Sequence, residues 1–425
     1  MLFLIAFVIA SLIVLRVLLR RCRKSLKRTV LTFAVLAFLI VATIFGGPLS
    51  SGALFLLLPA PATAYDLPRG YQPLHKGYVD LTTGLYVRED EDLVLSESPW
   101  FVWRRAYLSN DRIARRMGIG TTHNAERYLS GDPNTVQRIS LIMEDGRQIL
   151  FNRTSRGTSY LNAMFVHTHS DTEFYGARLG WTGRKWALRF ESGALAMFQA
   201  CGPDPRESCS IVSFRGPDGS VVQFKRDERG MLRAIEAGTQ RITFEYDDQR
   251  RIIRASDGRH KASYTYDRAG RLVRAIVDGT TRSYSYGSRD EMLLIEEPGR
   301  SIENAYDDNG RLARQVVRYP GRADYVQLFA YVVEGDKVRE TTMTENDGIR
   351  SVYRWNEEGR KELEIYESEG HSPVMVQFAR GVDGLFTRSI TVFCSNDGRR
   401  VTGTADIVDG DEDRGKAELV TRVCN

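Results

Sequence analysis

Two imidazoles and a carboxylate stand close together at His167-Thr168-His169-Ser170-Asp171, just after the apolar run Ala163-Met164-Phe165-Val166. Residues two apart on a strand share a face, so His167 and His169 could ligate one zinc ion with Asp171 beside them. His75, His123, His260 and His371 lie in no partner motif. No Gly-x-Ser-x-Gly elbow, Walker loop or His-Glu-x-x-His helix occurs. Carboxylates are plentiful but scattered over turn positions, and no pair can be set across a cleft as glycoside hydrolysis requires. Trp100, Trp103, Trp181, Trp186 and Trp355 could stack on sugar rings, or could simply fill a core. The balance of these signals is a non-enzymatic chain with no catalytic residue and no cofactor. His167, His169 and Asp171 are the lesser alternative, a metal-dependent hydrolase site.

The chain has five cysteines. Cys22 stands alone in a basic segment, and the other four form an even set, as an oxidising compartment permits. Proximity pairs Cys201 with Cys209 and Cys394 with Cys424. Closing those loops would contribute roughly 2.6 and 3.7 kcal/mol through chain entropy. The second bridge would staple the C-terminal strand to the last hairpins, and a repeat array needs such a cap. No Cys-x-x-Cys spacing supports zinc at these thiols.

The elements that must position these residues are set by a phrase of about twenty residues. An aromatic pair and an Asp are followed by a short polar turn with Gly, then an apolar run. It appears as Phe244-Glu245-Tyr246-Asp247, Tyr264-Thr265-Tyr266-Asp267 and Tyr284-Ser285-Tyr286-Gly287, and again around Tyr306, Tyr331 and Trp355. A degenerate earlier copy is Phe224-Lys225-Arg226-Asp227. Asp first and Gly fourth suit a type I turn, as in Asp267-Arg268-Ala269-Gly270; Asp247-Asp248-Gln249-Arg250 lacks the Gly and should turn less well. One hairpin cannot bury enough apolar surface to persist, so the hairpins should stack into one sheet. Phe244, Tyr246, Tyr264, Tyr266, Tyr284, Tyr286, Tyr306, Tyr331 and Trp355 then form an aromatic ladder. It would serve as a hydrophobic spine or, alternatively, as a platform for sugars.

These residues resemble the bacterial Tyr-Asp (RHS) repeat family over about residues 210–390. That resemblance implies a spiralling β-sheet enclosing a space, and the company of polymorphic toxins. About seven copies are recognisable, too few by that analogy to close a large shell. The Asp-Pro-x-Gly-Leu signature of many such toxins is also missing; Val382-Asp383-Gly384-Leu385 lacks the Pro. Self-cleavage and toxin release are therefore not expected. Residues 77–124 resemble the domain that precedes such repeats, through Val79-Asp80-Leu81-Thr82-Thr83-Gly84, Pro99, Arg104 to Tyr107, Ser109 and Gly118-Ile119-Gly120-Thr121. The His167 string partly resembles the His-x-His-x-Asp-His motif of metallo-β-lactamase-type hydrolases. Its last His is Thr172 here, and no strand–helix alternation of that fold surrounds it.

Residues 1–19 are apolar except for Ser11 and Arg16, and residues 29–45 form a second apolar run. Each is near spanning length. The basic segment between them places that loop in the cytoplasm and the rest of the chain outside. A cleavage site near Ala64, giving a secreted protein, is the alternative. Beyond residue 64 there are 52 basic and 54 acidic residues. The near balance argues against nucleic acid as a partner.

The expected organisation is two transmembrane helices in 1–46, a linker in 47–76 and a β-rich lead-in domain in 77–209. YD repeats follow in 210–372 and a C-terminal β cap in 373–425. The fold class is all-β: stacked hairpins in an open or partly closed spiral behind a helical membrane hairpin. The expected role is a scaffold or binding protein of the bacterial cytoplasmic membrane, with residues 65–425 periplasmic or otherwise extracytoplasmic. It would present its sheet to an envelope protein or a carbohydrate. A truncated or accessory member of a toxin system is the alternative.

Overall fold

Apolar and polar residues alternate along Gln240–Tyr246, and the alternation becomes burial: Ile242 and Phe244 are buried, while Arg241, Thr243 and Glu245 face out. The same pattern in neighbouring segments builds one antiparallel ladder of 25 strands, from Tyr128–Ser130 to Arg399–Asp406, each bonded to the next in chain order. The computed structural model describes residues 79–96, 101–131, 137–144, 146–157, 159–169, 172–200, 209–381, 384, 387–396, 399–407 and 412–424. A bridge from Tyr128 to Ser210 brings the first strand against the residue preceding the eighth, Ile211–Arg215, so the ladder closes on itself over its first eight strands.

The turn phrase has a physical reason for each residue. Gly270 N–H donates to Asp267 O (3.1 Å), and Asp267 N–H to Arg271 O (3.0 Å). The Asp267 carboxylate accepts from the Arg271 backbone N–H (2.9 Å) and from Arg271 Nε (2.7 Å). Asp247 holds Arg251 in the same way, at 2.8 Å for both bonds. Gly270 sits at φ 92°, a region that L side chains avoid. The turn at Asp247 keeps the same backbone bonds without its Gly, by forcing Arg250 to φ 60°. Asp290 is held in the same way.

The Tyr of each phrase bonds one repeat to the last. Tyr246 Oη donates to Leu232 O, Tyr266 to Ile252 O and Tyr286 to Leu272 O, each at 2.6 Å. Tyr306 reaches Met292 O at 2.9 Å and Tyr331 reaches Leu312 O at 2.7 Å. The Arg of one turn then covers the next Tyr: Arg251 lies 4.5 Å from the Tyr266 ring centre and Arg271 lies 5.3 Å from that of Tyr286. A β-bulge precedes each of Tyr246, Tyr266, Tyr286 and Tyr306, and repeated bulges raise the local twist of the sheet.

The segment 77–209 contributes to more than one sheet. Residues from Tyr128 onward already belong to the ladder. Residues 79–123 form a separate four-stranded sheet of Val79–Asp80, Leu85–Leu95, Phe101–Leu108 and Thr121–His123. This sheet is a plug packed on the apolar face of the ladder, and the two share one core that includes Trp103, Tyr107, Phe224, Phe244, Tyr264 and Tyr284. Leu312 N–H donates to Gly84 O (2.8 Å), Ile252 N–H to Arg116 O (2.8 Å) and Ile119 N–H to Gly270 O (3.0 Å). Gly118 is needed at the last contact, since a Cβ there would lie 2.7 Å from Gly270 O.

The C-terminal cap is not made of strands alone. After Arg399–Asp406 the chain forms helix α1, Glu412–Cys424, whose Leu419 packs on Val376, Phe378, Ile390 and Val392 in a second small core. A disulfide joins Cys394 to Cys424 across a Cα separation of 5.8 Å. The two expected membrane helices lie outside the described residues. Among the described residues no helix is long and apolar enough to cross a membrane.

Candidate functional site

One plug strand meets four successive repeats. Along Phe101–Leu108, alternate side chains share the face turned to the ladder. Phe101 lies edge-on to Phe224, with ring centres 6.0 Å apart, and Trp103 lies 4.6 Å from Phe244. Trp103 Nε1 donates to Tyr264 Oη (3.1 Å), which donates to Asp92 Oδ2 (2.7 Å). Arg105 donates to Asp92 (2.6 Å) and to Tyr284 Oη (3.1 Å). Tyr107 Oη donates to Asp290 O (2.9 Å) and accepts from Met292 N–H (2.8 Å).

A buried charge network lies beneath. Arg88 pairs with Asp90 (2.7 Å) and Glu297 (2.9 Å), and Tyr284 Oη donates to Asp90 (3.0 Å). Burial would raise the Asp90 carboxyl, but Arg105 and then Arg88 hold it well below the usual carboxylate range. Burial, and then the neighbouring Asp92, push the Tyr264 phenol up, so Tyr264 stays a donor. These groups satisfy one another and lock the plug in place. Their arrangement is structural.

Beside this seam lies a cavity of about 640 Å3, between the plug segment 114–126 and the ladder turns. Its deep wall is formed by Arg115, His123, Glu126, Ser210 and Arg226, and its mouth by the exposed residues Gln249, Arg268 and Ala269. Among the described residues Arg226 donates to backbone carbonyls: Ala125 O (2.8 Å), Gly230 O (3.1 Å) and Ile211 O (3.4 Å). Burial pushes its guanidinium down to about 10. Burial also drives His123 well below its ordinary range, and the cations Arg226, Arg116 and Arg115 add to this, so His123 is neutral. Glu126 is raised by burial, against the pull of Arg115, Arg116 and Arg226. His123 Nδ1, Glu126 Oε2 and Arg115 Nη1 are buried and meet no hydrogen-bond partner among the described residues.

The residues singled out by sequence lie elsewhere. His167 is buried, and its Nδ1 donates to Leu150 O (2.7 Å). The His169 ring centre is 6.0 Å from that of His167, and its Nε2 lies 3.2 Å from Asn152. Asp171 lies outside the described residues, and among the described residues no three His, Cys, Asp or Glu side chains gather to hold a metal. Cys209 is buried and disulfide-bonded, while Cys201 lies outside the described residues. Phe244, Tyr264 and Tyr284 are buried, and Tyr246, Tyr266, Tyr286, Tyr306 and Tyr331 pack half-buried against the same core. Trp355 is half-buried farther along the ladder. Trp103 and Trp186 are core residues. Of the cavity lining, the sequence marked Tyr246 as a ladder residue and Asp267 to Gly270 as a turn but assigned no site to Arg115, His123, Glu126 or Arg226, yet one signal was there: in Phe224-Lys225-Arg226-Asp227 an Arg stands where later copies have Tyr.

A family model described as "Teneurin YD-shell" matches residues 212–368, and one described as "Domain of unknown function (DUF6531)" matches residues 76–151. The first covers the ladder repeats and the second covers the plug with the first strands of the ladder. The ladder repeats of residues 212–368 are thus of the YD-repeat (RHS) type. No curated protein matches it. Among solved structures, the YD-repeat chain is similar to a Tc holotoxin pore from Photorhabdus luminescens carrying a TccC3 mutation. The identity is 11%, over 77% of this chain and 20% of the other, with a TM-score of 0.28. It is similar to TcdB2-TccC3-TEV at 11% identity over 77% of this chain and 20% of the other, with a TM-score of 0.26. A porin-like protein from Bacteroides uniformis matches 40% of this chain and 91% of its own, at 11% identity and a TM-score of 0.17. The chain spans about a fifth of the length of the Tc chains.

Proposed function

We propose that this YD-repeat protein is a non-enzymatic scaffold, anchored by residues 1–46 in a bacterial cytoplasmic membrane, that presents its outer sheet face to an envelope protein. The observation that carries the reading is the occupancy of the inner face. The plug covers the aromatic side of the repeats, so Phe244, Tyr264 and Tyr284 are not available to a sugar or any other partner. What remains is the outer face. Over the early repeats it is polar and ion-paired, as in Arg254–Glu245 at 3.1 Å and Lys225–Glu236 at 3.4 Å. On Tyr325–Glu334 it becomes apolar: Leu328 (47% exposed), Ala330 and Val332 (52%) alternate outward. Their neighbours across the strand are Thr344, Thr342 and Glu340. Exposed apolar side chains gathered on one outer face favour a protein partner over a glycan.

The test uses the full chain in a bacterial host. A periplasm-dependent reporter fused after Asn425 should be active, and cross-linking should recover a specific envelope protein. The L328E/V332E variant should fold and reach the same compartment but lose that protein. A reporter active only in the cytoplasm would end the membrane reading, and undiminished capture by the variant would end the partner face. The accessory role in a toxin system predicts instead that the chain is toxic when expressed in one compartment.

A further inference from the structure

The cavity beside the plug has the makings of a ligand site that the scaffold role does not require. Its walls hold Arg115, Arg116, Arg226, Arg251 and Arg268 against Glu126 and Asp267. Several of these charges are already matched. Arg115 pairs with Asp111 (2.7 Å), Arg251 with Asp247 (2.7 Å) and Asp267 with Arg271 (2.7 Å). Arg226 is different: among the described residues it hydrogen-bonds three carbonyl oxygens, and the Glu126 carboxylate acts on it only from beyond hydrogen-bond distance. A buried cation that is hydrogen-bonded but not neutralised favours an incoming anion, and a guanidinium matches the planar fork of a carboxylate or phosphate. Beside it, the buried His123 Nδ1 and Glu126 Oε2 lack hydrogen-bond partners among the described residues, and Glu126 Oε2 is 3.9 Å from His123 Nε2. A neutral imidazole and a carboxyl can accept from or donate to hydroxyl groups. Buried polar atoms left unpaired are costly, and a ligand that bonds them removes that cost.

We propose that this cavity binds a small hydroxylated anion, a sugar acid or a sugar phosphate, with its anionic group at Arg226 and a hydroxyl at His123 and Glu126. The position of Arg226 supports this. It stands at the Tyr position of its repeat, behind the same bulge that precedes the later Tyr residues. At that place Tyr246 and Tyr266 make one bond to a backbone carbonyl. An Arg there keeps the carbonyl contacts and adds a charge that the sheet does not use. Burial disfavours the charged form of Arg226 by more than Glu126 restores it, which agrees with a cation only partly matched. The inference concerns this cavity alone and stands whether or not the outer face binds a partner.

Calorimetric titration of the full chain in detergent tests it, with glucuronate, glucose 1-phosphate, inorganic phosphate and glucose as the probes. At least one hydroxylated anion should bind saturably, tighter than phosphate, while glucose gives no heat. Glucuronate alone would mark a carboxylate site and glucose 1-phosphate alone a phosphate site; either outcome supports the proposal. R226Q should weaken the bound anion by about tenfold or more. E126Q removes the opposing charge and should tighten inorganic phosphate by roughly threefold to tenfold, a gain that misfolding cannot imitate. Water alone in the cavity, seen as no heat with any probe, overturns the proposal. So does binding that neither substitution changes.

Discussion

The repeats that face the plug and the strands that face helix α1 solve one problem by different means. From Phe224 to Leu312 the inner row is covered by another sheet, and contacts such as Trp103–Phe244 and Arg105–Tyr284 join residues far apart in the chain. From Val374 to Asp406 the inner row is covered by α1, a local element tied down by the Cys394–Cys424 bridge. A plug specifies each repeat individually; a terminal helix needs only an apolar strip. This accounts for a drift along the ladder. The row runs Phe224, Phe244, Tyr264, Tyr284, Asn304. The Phe residues face Phe101 and Trp103, and the Tyr residues face Asp92, Arg105 and Asp90. Asn304 donates to Met292 O (3.1 Å) and accepts from Gln315 (2.9 Å).

The largest expected effect is in the plug network. Arg105→Met leaves Asp92 and Asp90 buried without that cation and should cost roughly 3–5 kcal/mol in urea unfolding. A loss below about 1 kcal/mol would mean that apolar contacts alone seat the plug. At the other end, replacing Cys394 and Cys424 together by Ser should cost about 2–4 kcal/mol. Hydrogen exchange should then rise in Thr387–Asp406 but not in Lys261–Val277. Equal loosening of both regions would erase the contrast between them.

A pH effect comes next, and on the plug side it turns on His123 and Glu126. His123 is depressed in the fold, so below about pH 6.5 the unfolded chain binds a proton that the folded chain does not. Stability should therefore fall with pH there, by up to about 1.4 kcal/mol per unit. Glu126 is raised and acts with opposite sign: the folded chain takes up its proton first as pH falls, so its contribution is lost as pH rises through its folded value. H123Q should flatten the acid-side loss, while E126Q should steepen it. An unchanged slope in H123Q would remove His123 as the cause.

The smallest effect concerns the turns. Arg250 holds a left-handed backbone at φ 60°, whereas Gly310 occupies the equivalent place at 78° without strain. Arg250→Gly should raise the free energy of unfolding by up to about 1 kcal/mol, and Gly310→Ala should lower it by a similar amount. Opposite signs at these two sites are the expected outcome. Like signs would mean that the turn is set by the Asp side chain and not by the fourth residue.

Much of the ladder was legible in the residues because its physics is local. The Asp-to-Arg bonds span four positions, and the alternation along Gln240–Tyr246 is the pleat of the strand itself. The turn at Asp247 was legible too, except that neighbouring strands force it to keep its form without Gly. The plug was not legible, since Trp103 and Tyr264 are 161 positions apart and nothing in either segment names the other. The cavity was hidden for the same reason. Arg115, His123 and Glu126 come from one segment and Arg226 from another, and only the Arg in place of Tyr marked the spot.

The sequence by itself determined the repeating hairpin, its turn and its inward aromatic row, because each follows from bonds and side-chain directions within about twenty residues. Tertiary structure alone decided what covers that row: residues 79–123 over the early repeats and a helix over the last. It also decided where charge is left unmatched. Burial and distance, not residue type, leave Arg226 a partly matched cation and Asp92 a well-paired carboxylate, and both are properties of the packed chain.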